Sequence, residues 1–152
     1  MRKAVLCFVI LGDEILMINR NKPPFMGLWN ALGGKVLENE DIFSAGKREI
    51  LEESGIAVNN VELLSEFTWN YDDELGYALV SKITEEDIKG KTFPLVLEEG
   101  LVDFKSVDWV LNAKNYGVIE DLRVFIKDIK NGVKQNYHLV YKNKNLKRAI
   151  KK

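Results

Sequence analysis

Histidine and cysteine are nearly missing from this chain, with one of each among 152 residues. Cys7 therefore has no partner for an intramolecular disulfide, and such usage fits a reducing compartment. With His138 as the one histidine, a Cys₂His₂-type zinc site and a two-histidine mechanism are both excluded. No apolar run approaches the roughly 20 residues of a membrane-spanning helix. Neither sign of charge prevails: 22 Lys and Arg face 23 Asp and Glu, for a net charge of -1. Such a chain is not built to hold nucleic acid in bulk through a global positive field. Internal repeats, low-complexity linkers and a second core pattern are absent too. The expectation is one domain over residues 1–152 with a core of its own, a basic tail beginning near residue 142, and an ordinary share of apolar residues at 46%.

Met1-Arg2-Lys3 and the apolar run behind it superficially resemble a signal peptide. The run is short, however, no small-residue cleavage site follows, and Gly12-Asp13-Glu14 reads as a hairpin turn. A cytoplasmic protein is expected. Cys7 lies inside that run and reads as a buried structural thiol.

Further along, residues 4–11 and 14–20 predict a β-hairpin. Pro23, Pro24 and Gly27 make residues 21–27 a loop. Residues 28–37 suggest short strands broken at Gly33-Gly34. The clearest helix covers residues 41–54, with Ile42, Ala45, Ile50 and Leu51 on its apolar face, Asp41 as its cap and Gly55 at its end. Strands are expected at 58–69 and 76–83, with a turn at Asn70-Tyr71-Asp72-Asp73. Residues 84–100 read as irregular, 104–110 as a strand, 116–130 as a helix and 137–141 as a last strand, followed by a frayed, solvated tail. Many strands with two substantial helices point to an α+β protein or an α/β/α sandwich.

The chemistry concentrates in residues 34–56. Helical spacing of three and four puts Glu49, Glu52 and Glu53 on one face, where like charges repel. Such a cluster needs solvent or a counter-charge. Hard oxygen donors on a rigid helix suit Mg²⁺ or Mn²⁺, and magnesium is commonly shared between carboxylates and substrate phosphates. Arg48, beside Glu49 and four residues before Glu52, is placed to steady a neighbouring carboxylate. Glu40 lies just ahead of the helix. Gly34 allows a tight turn and a close backbone approach.

The full string is Gly34, five residues, Glu40, seven residues, Arg48-Glu49-Ile50, one residue, Glu52-Glu53, one residue, Gly55-Ile56. It resembles the complete Nudix box, with no departure at a defined position. The resemblance implies an α/β/α sandwich around a mixed sheet and Mg²⁺-dependent hydrolysis of nucleoside diphosphates linked to another moiety. It implies Glu49, Glu52 and Glu53 as metal ligands, assisted by the Gly34 backbone and Glu40, with Arg48 orienting the glutamates. The general base stays open between a box glutamate, Glu52 or Glu53, and the later loop pair Glu98-Glu99.

The stretch Trp29-Asn30-Ala31-Leu32-Gly33-Gly34-Lys35-Val36 is similar to the strand before the box in MutT-type enzymes that clean oxidised purine nucleotides, especially their animal branch. There the asparagine touches the purine edge, so Trp29, Asn30 and Lys35 are the expected substrate contacts. The other reading keeps Trp29 in the core and spends Asn30 on a local backbone group. Glu120-Asp121 faintly resembles an acidic pair that bonds the base in that branch, but Val118 stands where the branch has its stacking tryptophan. The other reading makes this pair the flank of an exposed helix. The expected partner is a small nucleotide, 8-oxo-dGTP foremost, with no membrane and no DNA duplex, and with a homodimer as one possible state. Rival substrates are ADP-ribose, dinucleoside polyphosphates and capped RNA, the last favoured slightly by the basic tail. A non-catalytic nucleotide sensor is the rival of another class.

Overall fold

Alternating apolar residues draw the N-terminal runs into strands β1 (Arg2–Leu11) and β2 (Glu14–Arg20), joined through Gly12, whose φ of 60° suits the tight turn. The computed structural model describes residues 2–71 and 73–152, so Asp72 of the expected turn lies outside the described residues, as does Met1. Strands β3 (Trp29–Lys35), β4 (Glu62–Trp69), β5 (Glu74–Lys82), β6 (Leu95–Leu97), β7 (Gly100–Ser106), β8 (Tyr137–Lys142) and β9 (Asn145–Lys151) complete one sheet, in the order β6-β7-β2-β3-β1-β5-β4-β8-β9. β1–β5 and β4–β8 pair in parallel and the other strand pairs are antiparallel, which makes the sheet mixed.

Helix α1 (Ile42–Ser54) covers one face of the sheet; α2 (Val107–Leu111) and α3 (Leu122–Asn131) lie on the other. The core is accordingly double. On the α1 side Cys7, Leu16, Leu32, Ile50 and Leu79 pack together, and on the α3 side Phe8, Met17, Phe67, Leu122 and Phe125. Side chains on a strand alternate between the faces, so each central strand feeds both cores. The layers form the expected α/β/α sandwich. Cys7 is fully buried, and burial pushes its thiol pKa up, as an inert core residue requires.

Several sequence expectations are corrected. Gly33 and Gly34 do not break β3: they stay in register with Leu6 and Val5 of β1. Strand β4 starts at Glu62 rather than at residue 58, and β5 begins earlier than expected, at Glu74. Residues 84–100 are not irregular throughout, because they hold a 3-10 turn at Glu85–Ile88 and the short β6. The expected strand 104–110 ends at Ser106, whose hydroxyl accepts from Trp109 N at 3.0 Å and caps α2. The expected helix 116–130 begins at Leu122. Ahead of it the chain runs beside β3, with Trp29 N donating to Gly117 O at 2.7 Å and Ile119 N to Trp29 O at 3.1 Å. The tail is not frayed. It is β9, paired with β8 from Tyr137↔Lys151 to Lys142↔Asn145.

Candidate active site

Asp41 starts α1 by accepting from Ser44 N at 2.9 Å, and Gly55, at φ 75°, ends it. These caps fix the register in which α1 presents Glu49, Glu52 and Glu53 to the end of β3. Glu53 is buried, at 7% exposure, and its Oε1 accepts from Gly33 N at 2.8 Å. A Cβ on Gly34 would stand under 3.0 Å from every atom of the Glu49 carboxylate group. Gly34 thus gives the close approach that the sequence suggested, but inside the last stretch of β3 and without a turn.

Arg48 ties the parts together. Its Nε and Nη2 grip both oxygens of Glu40, at 2.9 and 3.0 Å, as a fork. Nη2 also donates to Lys35 O at 3.0 Å, while Nη1 reaches Glu49 Oε1 at 2.9 Å and Glu52 Oε2 at 3.4 Å. Glu40 in addition accepts from Leu37 N at 3.1 Å. One guanidinium therefore joins the end of β3, the loop before α1 and the helix face.

Electrostatics separate the carboxylates. Arg48 holds Glu40 below the usual carboxylate range, chiefly through their hydrogen bonds. Burial lifts Glu49, against the pull of Arg48. Burial pushes Glu53 up to about 8, with the charges of Glu49 and Glu99 adding to the rise while Gly33 N–H and Arg20 oppose it. The loop pair thus divides: the charge of Glu99 acts on Glu49 and Glu53, whereas Glu98 is fastened through its carbonyl to Asn21 Nδ2, at 2.9 Å. Asn21 N also bonds Glu99 O at 3.1 Å, which pins this loop to the end of β2. Arg20 escaped the sequence reading. It pairs with Gly100 across β2–β7, and only that register brings its charge near Glu53.

The expected substrate contacts divide between the layers. Asn30 faces the α1 side with its register partner Ile18, and its Oδ1 accepts from Ala31 N at 2.8 Å, leaving the amide hydrogens unspent in that bond. Trp29 points to the other side, edge-on to Trp109 at 6.4 Å, with the Lys105 ammonium 4.6 Å from its ring centre. The Lys35 side chain lines a shallow hollow with Arg2, Lys3 and Glu40. Glu120 accepts from Leu146 N at 2.9 Å. Asp121 is buried at the start of α3 beside Tyr141 and Trp69, and burial raises its pKa. The Trp69 indole N–H is near it but makes no hydrogen bond of ordinary geometry. A cleft of about 530 Å³ lies between α3 and the β8–β9 pair, lined by Glu120, Arg123, Lys127 and Leu146. Glu49, Glu52 and Glu53 do not line it. We place the chemistry where carboxylates and backbone amides converge.

A strand with paired glycines running into a capped, glutamate-bearing helix is the arrangement of a Nudix domain. The NUDIX domain family model matches residues 1–121, and the chain belongs to that family. Among curated proteins it is similar to the oxidized purine nucleoside triphosphate hydrolase of Mus musculus, 34% identical over 64 residues, which are 41% of each chain. The chain thus matches about two fifths of that relative's length. Among solved structures it is similar to the MutT protein of Bacillus halodurans, with a TM-score of 0.77 and 25% identity over 99% of this chain and 97% of that one. The NUDIX domain of Shewanella oneidensis NrtR, solved with ADP ribose, shares the fold, with a TM-score of 0.68 and 16% identity over 86% of both chains.

Proposed function

We propose that this chain hydrolyses nucleoside triphosphates to the monophosphate and pyrophosphate with Mg²⁺, or Mn²⁺ in its place, and that oxidised purine nucleotides such as 8-oxo-dGTP are its substrates. The observation that carries the reading is Glu53: a buried carboxyl held by the Gly33 amide, facing the charges of Glu49 and Glu99. Burying like charges together is costly without a cation to offset them. The substrate class leans on the name of the mouse relative.

Among the described residues, no three His, Cys, Asp or Glu side chains stand close enough to chelate a cation as they are now turned. The donor chemistry fits nonetheless, since carboxylate oxygens are the ligands that magnesium takes. Glu49, Glu52 and Glu53 would hold it, with the Gly34 backbone and Glu40 in support. Bound there, it would supply charge neutralisation for the phosphate oxygens and a water of lowered pKa.

The residues of the chain do the rest. Arg48 keeps Glu49 and Glu52 aimed while Glu40 anchors Arg48. Glu53 is the proposed base, because its carboxyl is fixed at the centre of the cluster by the Gly33 amide and a bound cation would keep it ionised and able to take a proton; Glu52 and Glu99 are its rivals. Water forms the new P–O bond, the anhydride P–O bond breaks, pyrophosphate leaves with the electron pair, and the carboxylate takes the water proton. Asn30, on the glutamate side of β3, has amide hydrogens to offer a base edge.

The test is chromatographic identification of the products formed from a Mg²⁺-containing panel of dNTPs, 8-oxo-dGTP, ADP-ribose, dinucleoside polyphosphates and capped RNA. Wild type, Glu52→Gln and Glu53→Gln are run together. Cleavage of 8-oxo-dGTP to the monophosphate by wild type, with at least a 100-fold loss in both variants, supports the reading. Preference for another substrate overturns its specificity, and an inert wild type overturns the chemistry.

A further inference from the structure

The near-zero net charge conceals an uneven distribution. From residue 129 to the C-terminal Lys152 there is no Asp or Glu, while Lys130, Lys134, Lys142, Lys144, Lys147, Arg148, Lys151 and Lys152 supply eight cations. The rest of the chain is left with fourteen cations against twenty-three acids. Most of the basic segment is the β8–β9 hairpin at one edge of the sheet.

The hairpin is a firm support. Leu146 N donates to Glu120 Oε2 at 2.9 Å, Lys152 N donates to Asn136 O at 3.0 Å, and Leu146 and Ala149 pack on the α3-side core. Its cations are displayed on fixed backbone, with little ordering entropy left to lose on binding. They are also unneutralised. The ion pairs of this segment are Lys130–Asp108 and Lys134–Glu62, both ahead of the hairpin. Among the described residues Lys142, Lys144, Lys147, Arg148 and Lys151 form none.

The turn carries its own signal. Asn143 and Lys144 both have positive φ, 52° and 68°, as a two-residue hairpin turn of the mirror type requires. Glycine serves the second position best, and a lysine there costs on the order of 1 kcal/mol. The sequence keeps a cation at the tip regardless. Guarding an edge strand from aggregation takes a lysine or two, and this hairpin has many more.

The face beside the hairpin is open. Helix α1 packs on β3, β1 and β5, and on the same side of β4, β8 and β9 lie Glu66, Thr68, His138, Val140, Arg148 and Ile150, so the face carries one acid on β4 and its cations on the hairpin. His138 Nδ1 is tied to Thr68 Oγ1 at 2.8 Å, across the β4–β8 pair. A sheet face with a ring and a basic margin suits stacked bases and a phosphate backbone. A membrane surface fits less well. Interfacial binding needs large apolar groups among the cations, and Ile150 is the only large apolar side chain that the hairpin exposes.

We propose that the β8–β9 hairpin is a docking surface for single-stranded polynucleotide, engaged through Lys142 and Arg148 on the open face, Lys144 at the tip, Lys147 at the bulge and Lys151 on the opposite face of the edge strand. It lies five strands from β3, roughly 24 Å at the usual strand spacing. A mononucleotide cannot span that distance, so hydrolysis of small nucleotides is independent of the hairpin, and the two sites are tested separately.

The probe is a fluorescein-labelled 20-nucleotide oligouridylate, followed by anisotropy with the full chain from 50 to 200 mM KCl. Neutralising four phosphates gives a log–log salt slope near -3, about a 50-fold loss of affinity across that range. The variant Lys144→Gln/Lys147→Gln/Arg148→Gln/Lys151→Gln is expected to bind at least tenfold more weakly at 50 mM KCl, with a slope near zero. Lys130→Gln/Lys134→Gln, which alters cations already paired, is expected to bind as wild type does. Circular dichroism melting checks that each variant is folded, and mononucleotide turnover in the hairpin variant should match wild type. The proposal is overturned by absence of binding at 50 mM KCl, by a hairpin variant that binds like wild type, or by tighter binding to phosphatidylglycerol vesicles than to the oligonucleotide. None of these outcomes depends on which small nucleotide, if any, the glutamate site cleaves.

Discussion

Glu53 gives the sharpest handle on the site, because its burial turns into a measurable pH dependence. In the unfolded chain a glutamate titrates near 4.5, and in the fold Glu53 is pushed up to about 8. The folded-state value is the higher one, so the folded protein binds the proton more tightly. The contribution of Glu53 is fully present below pH 4.5 and is lost as pH rises through about 8. Each unit is worth about 1.4 kcal/mol, so metal-free protein should lose roughly 2.5 kcal/mol between pH 5 and 7 on this account and about 3.5 kcal/mol by pH 8. Glu53→Gln removes the titration while an amide oxygen can still accept from Gly33 N. The assay is urea unfolding in EDTA from pH 5 to 8 for both proteins, read as the difference between their stabilities. Wild type should fall against the variant by about 1 kcal/mol per pH unit or more, a drop of several degrees in Tm for a chain of this size. Mg²⁺ should narrow the gap at high pH by stabilising the ionised carboxylate. Parallel stability curves for the two proteins in EDTA would refute the burial argument.

Two adjacent glycines should fail in different ways. Gly33→Ala drives a Cβ into the Val5 carbonyl and should cost at least ~3 kcal/mol of stability by urea titration, whereas the atoms nearest a Cβ at Gly34 are those of the Glu49 carboxylate, which can swing aside. Gly34→Ala should therefore stay near wild type in Tm while losing on the order of tenfold in Mg²⁺ affinity by isothermal titration. Arg48→Lys keeps one charge but cannot form the fork on Glu40 and also reach Lys35 O, Glu49 and Glu52. A 10- to 100-fold loss of metal affinity or turnover is expected. Deleting residues 143–152 strips Leu146 and Ala149 from the core and leaves the Glu120 carboxylate without the Leu146 amide, so a fall of roughly 2–4 kcal/mol in stability is expected. An unchanged melting curve would mean that β9 is not part of the folded structure.

The glutamate helix was legible because everything that defines it is local: Asp41 caps it, Gly55 ends it, and spacing of three and four sets its acidic face. The same local logic misled at the glycine pair, where residues that usually interrupt a strand serve close packing within one. Residues 107–111 carry a strand-like composition, and only the Ser106 hydroxyl, placed after seven paired residues of β7, decides for helix. The C-terminal strand was the least legible. Its cations read as a solvated tail, and what holds it is long-range, namely β8 pairing in parallel with β4 and the Glu120 carboxylate waiting for Leu146 N. The grouping of Glu40, Arg48, Glu49 and Glu52 follows from spacing along one segment, but the separate placements of Glu98 and Glu99 and the part of Arg20 depend on how β2 and β7 align. No spacing within a single segment carries that.

The many partners of Arg48 have a consequence for anyone dissecting this site. A guanidinium that serves Glu40 through two nitrogens, Glu49 and Glu52 through the third, and a carbonyl besides has redundancy. Neutralise either helix carboxylate and the others keep it in place, so the loop before α1 does not come adrift. Replacements at Glu49 or Glu52 can then be read as chemistry lost at one oxygen pair rather than as collapse of the surroundings. Changes at Glu40 carry no such assurance, since the strongest grip on the arginine is there.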